Sequence, residues 1–514
     1  MKKPINFLLS CLCLLHLASC DKDIVETNAG YQALQPAQTD ADAGSWAPII
    51  VSSAADFPLS APEATTSAAY QQELAELKAL TANLTADQKR IIDYWKVGSV
   101  LRWNEIMREL VAKHNLPPYQ SPDDTYPVPS AANPFAYPVF PFSNPPYAAR
   151  AYAYVSAAQY DALVIAHHFK NEYKRAAPYH ADASIKPAVP KSELAAYPSE
   201  DAVVAGASLE MMKLLFPADL AYLTKMAEEE KNYRLWSGAN VRSDIGAGDS
   251  LGRWVARKVI QKAKTDGMGA SVGNQELWTK LEDDCRAKGE TPWLSLETPK
   301  RPPMLPFFGD VKPLLFDKAD VPALRPGPPP SANSEQMRKE LDEVLSYTLN
   351  PTRERMRIVN FWADGVGTST PPGHWNAIAT EEFVKKHYSE VRWARNYALL
   401  NAALMDAAIL CWNTKFYYFN ARPCQLNPTI KTLTGVPNFP AYVSGHSTFS
   451  GAAATVLGHL IPERAGDFKA MAQEASDSRL FGGIHYRADC QEGLEAGRKV
   501  GDYAIARART DGAD

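Results

Sequence analysis

Residues 478–489, SRLFGGIHYRAD, decide the fold, because a diverged copy, YRLWSGANVRSD, stands 245 residues earlier at 233–244. Over the 35 positions that start at residues 233 and 478, 14 are identical, whereas ordinary amino-acid usage would give about 2. The spacing continues without a gap back to residues 149 and 394. A repeat of this length predicts that the chain contains one structural unit twice.

Both copies are rich in Ala, Leu and Met, and their apolar residues recur at intervals of three and four. That period is typical of amphipathic helices, and turns with Pro and Gly separate the segments. We predict an all-α protein of two internally duplicated antiparallel helical bundles packed together, the C-terminal one carrying the site. The predicted halves are residues 71–267 and 351–514, and a Pro-rich crossover at 268–350 joins them. Within the crossover, residues 303–316 either cover the mouth of a site or form a plain surface strap.

The second copy concentrates cationic and imidazole side chains in three short motifs. In chain order the motifs supply Lys415, Arg422, Ser444, Gly445, His446, Arg479, His485 and Asp489. Arginine presents a planar fork of donors that matches the oxygens of phosphate or vanadate, and lysine adds a point charge. Ser444 and Gly445 precede an Ala-rich helix, whose N-terminal N–H groups favour an anion, although Ser444 also fits a plain N-cap. The motifs predict an oxyanion site.

These motifs resemble the signature of the type-2 phosphatidic acid phosphatase and vanadium-dependent haloperoxidase superfamily, which reads K-x6-RP, SGH and SR-x5-H-x3-D. The resemblance covers roughly residues 390–500 and departs at Val443, where the family usually has proline. It implies that the oxyanion is bound by Lys415, Arg422, Ser444, Gly445 and Arg479. It also implies that His485 is the nucleophile or the axial ligand of vanadium, that His446 is a general acid or base, and that Asp489 orients His485.

The resemblance leaves two chemistries open, because phosphate and vanadate use the same ligands. With a bound vanadate cofactor the protein would use peroxide to oxidise a halide, and without a cofactor it would hydrolyse a phosphomonoester. The size, the duplication and Trp412 resemble the haloperoxidase branch, so we predict a vanadium-dependent haloperoxidase. The alternatives are an acid phosphatase with a histidine nucleophile and a non-catalytic oxyanion-binding lipoprotein. Phe439, where bromoperoxidases have a second histidine, and His374, in a stiff loop, are predicted to line the cleft together with Trp412.

The first copy has lost the residues of this chemistry. Ala177 replaces the arginine of the first motif, Glu200 and Asp201 replace the Gly-His pair, and Asn240 replaces the later histidine. Carboxylates repel an oxyanion, so we predict that the first half is structural. A different ligand in the first half is the alternative.

The N-terminus predicts export. Lys2 and Lys3 precede a short apolar run that ends in Leu-Ala-Ser-Cys20. A basic start, an apolar core and small residues are typical of a signal peptide, and the final cysteine resembles a bacterial lipobox. We predict a signal peptide at 1–19, a lipid on Cys20 and a tether over 20–70. The protein would then be an exported bacterial lipoprotein, anchored in the periplasm, at the outer membrane or on the cell surface. An ordinary signal peptide with an incidental cysteine is the alternative.

The net charge and the cysteine spacing limit the classes of partner and metal that the chain can be expected to bind. A formal net charge of −4 over 514 residues argues against nucleic acid, and membrane contact is predicted only through the N-terminal lipid. The expected partners are small molecules: peroxide and halide, or a phosphomonoester. Cys285, Cys411, Cys424 and Cys490 lack zinc-site spacing, and their pairing and any homo-oligomer stay open.

Overall fold

The structure, a computed structural model, describes residues 31–115, 141–297, 300 and 302–513. In these ranges the regular elements are helices, apart from an isolated bridge between Pro292 and Asn420. The predicted all-α class is therefore confirmed. The predicted signal peptide and the predicted lipidation site, Cys20, lie outside the described residues.

The first half is built around one long helix. Its longer helices are α1 (Ala68–Ala82), α2 (Ala86–Trp95), α3 (Ser99–His114), α4 (Pro145–Tyr173), α5 (Glu200–Leu215), α6 (Leu220–Trp236) and α7 (Arg242–Ala263). The Ala-rich α4 is buried on nearly all sides, as expected of a helix that runs through the middle of a bundle. It stops at Lys174, whose left-handed conformation (φ 50°) ends the helix.

The crossover contains α8 (Gln275–Ala287) and α9 (Glu335–Leu349), and the second half follows it. The longer helices of the second half are α10 (Arg353–Phe361), α11 (Thr370–Phe383), α12 (Glu390–Tyr418), α13 (Gly445–Leu460), α14 (Ala465–Phe481) and α15 (Arg487–Ala508). Helices α12 to α15 begin and end 245 residues after α4 to α7. These bounds are the ones that the predicted repeat requires. The two long helices, α4 and α12, pack against each other at the centre.

Buried amides join the two halves beside this central contact. Asn376 on α11 donates to Asn401 on α12 at 2.7 Å and accepts from Asn104 on α3 at 2.8 Å. Asn401 in turn donates to Ser156 on α4 at 2.9 Å. All four side chains are buried. Because buried amides need partners, these bonds favour one alignment of the two halves.

We expect Asn376→Ala to lower the free energy of unfolding by about 3 kcal/mol, since it leaves several buried polar groups without a partner. The lost bonds include one to the carbonyl of Pro372 at 2.8 Å. Chemical denaturation followed by circular dichroism measures the change. Asn360→Ala, on the exposed side of α10, is the matched control and should cost less than about 0.5 kcal/mol. Equal costs for the two variants would show that the amide network adds nothing to stability.

The N-terminal segment is packed from residue 31 onwards, which differs from the predicted tether at 20–70. The backbone N–H groups of residues 49–51 donate to the buried carboxylate of Asp161 at 2.6 to 3.0 Å. Trp46 is buried beside them. The polar composition suggested a loose chain, but capture by one carboxylate depends on backbone groups, which composition does not reveal.

The crossover is held in the same way in the second half, by backbone N–H groups that donate to one buried carboxylate. The N–H groups of residues 314–315 donate to Asp406, the repeat counterpart of Asp161, at 2.8 to 3.1 Å. Phe308 is completely buried. Residues 303–316 therefore form a buried part of the second bundle rather than a plain surface strap.

Two further findings bear on the sequence predictions. Among the described helices, none combines the length and the hydropathy needed to cross a bilayer. The thiols of Cys285, Cys411, Cys424 and Cys490 are free, so none of these four cysteines forms a disulfide.

Candidate oxyanion site

The ammonium group of Lys415 lies among backbone carbonyls at the end of α12. Its Nζ donates to the carbonyl oxygens of Pro440 and Ala441 at 2.9 Å each, and to that of Val443 at 2.5 Å. The side chain is completely buried, and burial lowers the pKa of this amine. The carbonyls fix the cation next to the start of α13.

Arg422 is the second buried cation. Its Nε and Nη2 donate to the carbonyl of Phe439 at 3.1 and 2.9 Å, and its Nη1 donates to the carbonyl of Ile484 at 2.8 Å. Burial lowers the pKa of Arg422 to about 10, so the guanidinium remains charged at neutral pH. Neutral carbonyls satisfy its donors without cancelling its charge.

His485 contacts both a cation and a carboxylate. Its Nε2 lies 3.0 Å from Nη1 of Arg422, and its Nδ1 lies 2.8 Å from Oδ2 of Asp489. Arginine can only donate, so Nε2 must accept, and the ring proton resides on Nδ1, where Asp489 accepts it. Burial, followed by the charge of Arg422, lowers the pKa of His485 well below its usual value. A neutral imidazole with an unprotonated Nε2 can act as a nucleophile or as a metal ligand.

Asp489 connects this histidine to the start of α13. Its Oδ2 also accepts from the backbone N–H of Tyr486 at 3.2 Å, and its backbone carbonyl accepts from the N–H of Ser444 at 2.9 Å. Burial raises the pKa of the Asp489 carboxyl, and Lys415 opposes that change. The carboxylate of Asp489 therefore orients His485, and its backbone carbonyl anchors Ser444 at the start of α13.

The N-terminus of α13 faces the same site. The Oγ of Ser444 accepts from the N–H of Ser447 at 3.3 Å, so the plain N-cap reading of Ser444 holds. A Cβ atom added to Gly445 would lie 3.8 Å from the ring of Trp412, which shows how closely this turn approaches that ring. The N–H groups in the first turn of a helix favour a bound anion.

Arg479, at the end of α14, is the third buried cation. Its Nε donates to the hydroxyl of Ser478 at 2.9 Å, and burial lowers its pKa to about 10 while Asp364 opposes the change. The site thus combines three buried cations with two carboxylates, those of Asp489 and Asp364, that contact motif residues. Buried cations are costly unless an anion balances them. The donor set fits an oxyanion such as phosphate or vanadate.

His446 lies at the open side of the site and is paired less tightly than His485. Its Nε2 is 3.6 Å from Oδ2 of Asp364, and 17% of its side chain is exposed. Burial and the charge of Arg479 lower the pKa of His446 well below its usual value. A neutral imidazole at this place can remove a proton from a bound substrate.

Asp364 is the residue that sequence reasoning missed. Its Oδ1 lies 2.9 Å from Nδ1 of His374, so it links the predicted entrance histidine with His446. His374 stacks on Trp362 with ring centroids 4.5 Å apart. Asp364 stands outside the three motifs, in a Gly-containing loop before α11, and nothing in its spacing to the motifs signals this position.

Two aromatic rings, those of Trp412 and Phe439, form a wall of the site beside Lys415 and Arg422. The rings of Trp412 and Phe439 lie 5.0 Å apart, and the indole N–H of Trp412 donates to the carbonyl of Met304, in the crossover, at 3.0 Å. The ring of Phe439 lies 5.0 Å from Nζ of Lys415 and 5.1 Å from Cζ of Arg422. The structure thus places all eight motif residues in one site, with His374, Trp412 and Phe439 at its border.

The corresponding place in the first half contains its own carboxylates. Glu200 stands where the second half has Gly445 and lies 2.9 Å from Nε2 of His167 and 3.6 Å from Nζ of Lys170. Asp201 accepts from the hydroxyl of Tyr233 at 2.6 Å and lies 3.2 Å from Nε of Arg234. The remaining cations of the first copy are therefore neutralised within the protein.

Comparisons with known proteins agree with this site. Residues 396–501, which include all eight motif residues, match the PAP2 superfamily. A vanadium chloroperoxidase from Curvularia inaequalis is 29% identical over 21% of this chain and 23% of that protein. A non-specific acid phosphatase from Salmonella typhi is 37% identical over 14% of this chain and 26% of that protein. The chain thus aligns with about a quarter of the length of each relative.

The fold also matches a solved structure, that of a bacterial vanadium-dependent iodoperoxidase. The TM-score is 0.55 and the sequence identity is 22%, over 71% of this chain and 91% of that one. This similarity concerns the fold alone. The resemblance to the superfamily inferred from the three motifs is confirmed.

Proposed function

We propose that the protein is a vanadium-dependent haloperoxidase, and the match of residues 396–501 to the PAP2 superfamily supports this proposal. The observation that carries the proposal is the arrangement of His485, whose unprotonated Nε2 lies 3.0 Å from Arg422, while the buried cations Lys415 and Arg479 also act on this imidazole. That arrangement suits an anion whose central atom accepts a ligand from a neutral imidazole. The similarity to the haloperoxidase fold over most of that protein's length supports the same choice.

Each side chain would have a distinct task. Lys415, Arg422 and Arg479 would neutralise the oxygens of vanadate, and Nε2 of His485 would be the protein ligand of vanadium. Vanadate, when bound, supplies the Lewis-acidic centre that activates hydrogen peroxide towards halide. The overall reaction is H2O2 + X⁻ + H⁺ → HOX + H2O. His446 is neutral near pH 7, so it would take a proton from peroxide as peroxide enters.

A phosphomonoesterase is the second candidate, because the same cage fits phosphate and an acid phosphatase is among the relatives. His485 would attack phosphorus through Nε2, and His446 would give a proton to the leaving alcohol. The lowered pKa of His446 disfavours the protonated form that this second step needs.

A paired assay on the purified protein tests the choice. One sample is incubated with orthovanadate, desalted and assayed for peroxide-dependent oxidation of iodide and bromide. The other is assayed without vanadate for hydrolysis of a generic phosphomonoester. Oxidation that requires vanadate is the expected result. Hydrolysis alone, inhibited by vanadate, would establish the phosphatase, and silence in both assays would leave the non-catalytic oxyanion-binding protein.

We also propose that Cys20 carries a lipid and anchors the protein at a membrane outside the cytoplasm. The support is the sequence that ends in Leu-Ala-Ser-Cys20. Fractionation of producing cells tests this, with Cys20→Ala as the variant. The wild type is expected in the membrane fraction and the variant is expected to lose membrane association, whereas equal distribution would exclude the lipid anchor.

A further inference from the structure

The loop that carries Asp364 has an unusual backbone. It occupies residues 363–369 between α10 and α11, and φ is 47° at Asp364, 79° at Gly367 and 67° at Thr370. A β-branched residue such as Thr370 rarely adopts a positive φ. Surrounding contacts must therefore hold the loop in this conformation.

Asn115, from the first half, makes such contacts. It follows the last residue of α3 and is 4% exposed. Its Nδ2 donates to the carbonyls of Gly365 at 2.9 Å and Thr368 at 3.0 Å, and its own backbone carbonyl accepts from the N–H of Gly367 at 2.8 Å. One residue thus makes three hydrogen bonds to a stretch that lies some 250 positions later in the chain.

The position of this loop matters to His446. The loop places Asp364 Oδ2 at 3.6 Å from Nε2 of that histidine, and both atoms are buried without a hydrogen-bond partner among the described residues. The backbone of Ala363 also lies near the imidazole and raises its pKa. The other charged or titratable groups that face His446 are His374 on α11, Lys415 on α12 and Arg479 on α14. The loop is therefore the source of the acceptors around this imidazole.

We propose that Asn115 is a positioning residue for the reaction, which holds the 363–369 loop so that Asp364 and Ala363 face His446. Its effect on turnover rests on the proposed function, whereas its effect on the loop does not. The first half then contributes to the site, in addition to the packing role predicted for it.

The test uses Asn115→Ala and Asn115→Asp in the full chain. Aspartate has a similar size but lacks the two N–H donors and would place oxygen against the carbonyls of Gly365 and Thr368. We expect turnover to fall about 10-fold or more in both variants, because a displaced proton-transfer group is costly. The KM and the affinity for orthovanadate should change less than about 2-fold, since the cations that bind the anion are untouched.

Tyr152→Phe is the matched control. Tyr152, on α4, also reaches this loop from the first half, where its hydroxyl donates to the carbonyl of Ser369 at 3.3 Å. That bond lies at the far end of the loop from Asp364, so turnover should stay near the wild-type value. Unchanged turnover in Asn115→Ala, or a parallel loss of turnover and orthovanadate affinity, would overturn the positioning role.

Hydrogen exchange gives a readout that is independent of activity. Amides of residues 363–369 should exchange about 10-fold faster or more in Asn115→Ala than in the wild type or in Tyr152→Phe, because the loop has lost two anchoring bonds. Equal exchange in all three proteins overturns the inference. A wild type that is silent in both assays would refute the proposed enzyme, and the exchange comparison would still decide whether Asn115 holds the loop.

Discussion

His485→Ala is expected to abolish turnover, with a loss on the order of 1,000-fold or more, and to abolish retention of orthovanadate after desalting. The reason is that Nε2 of His485 lies 3.0 Å from Arg422 as an unprotonated acceptor, and alanine offers no ligand or nucleophile there. The same assay and a vanadium analysis of the desalted protein measure both effects. The variant also leaves the buried Asp489 carboxylate without its imidazole partner, so a small loss of stability accompanies the change.

Two comparisons separate loss of chemistry from loss of fold. Added imidazole can enter the space left by the missing ring and should restore part of the activity of His485→Ala. His168→Ala removes an exposed imidazole from α4 and should behave as the wild type. Wild-type turnover in His485→Ala would refute the assignment of His485, whichever oxyanion the site binds.

The second large effect concerns Arg422→Lys. We expect affinity for orthovanadate or phosphate to fall on the order of 100-fold, about 2.7 kcal/mol. The guanidinium spans two segments, donating to the carbonyls of Phe439 and Ile484, while it contributes charge to the site. An ammonium group on a flexible stem cannot reproduce this fork. Equilibrium binding of the anion, measured by calorimetry, gives the affinity directly.

The matched control is Arg498→Lys, on the solvent-exposed side of α15. Arg498 pairs with Glu495 at 2.6 Å and half of its side chain is exposed, so the change should leave anion affinity unaltered. If Arg422→Lys bound the anion as tightly as the control, charge alone would be sufficient and the fork would be irrelevant.

The repeat and the three motifs predict much of this molecule because both are local in sequence. The 3.6-residue apolar period indicates helices without knowledge of their partners, and Lys415, Arg422 and His485 stand at spacings that a motif can capture. Asp364 and Asn115 could not be found in this way. They approach the site only because the end of α3 contacts the loop between α10 and α11 in the folded chain, and their separation of about 250 residues leaves no local pattern.

The predicted tether at 20–70 is a second case in which contacts between distant residues could not be predicted from local sequence. Residues 49–51 of this segment are held by Asp161, a carboxylate in the middle of α4. Asp161 and Asn115, both in the first half, each bind a segment that lies far away in sequence. Each side chain forms hydrogen bonds with backbone groups, and these leave no mark on composition or periodicity.

Glu200 fixes the stoichiometry of binding. In the first bundle its carboxylate already contacts His167 and Lys170, the repeat counterpart of Lys415. The second bundle has Gly445 at this position, so that position supplies no carboxylate. A chain with two bundles should therefore take up one equivalent of oxyanion at saturation, however high the concentration is raised.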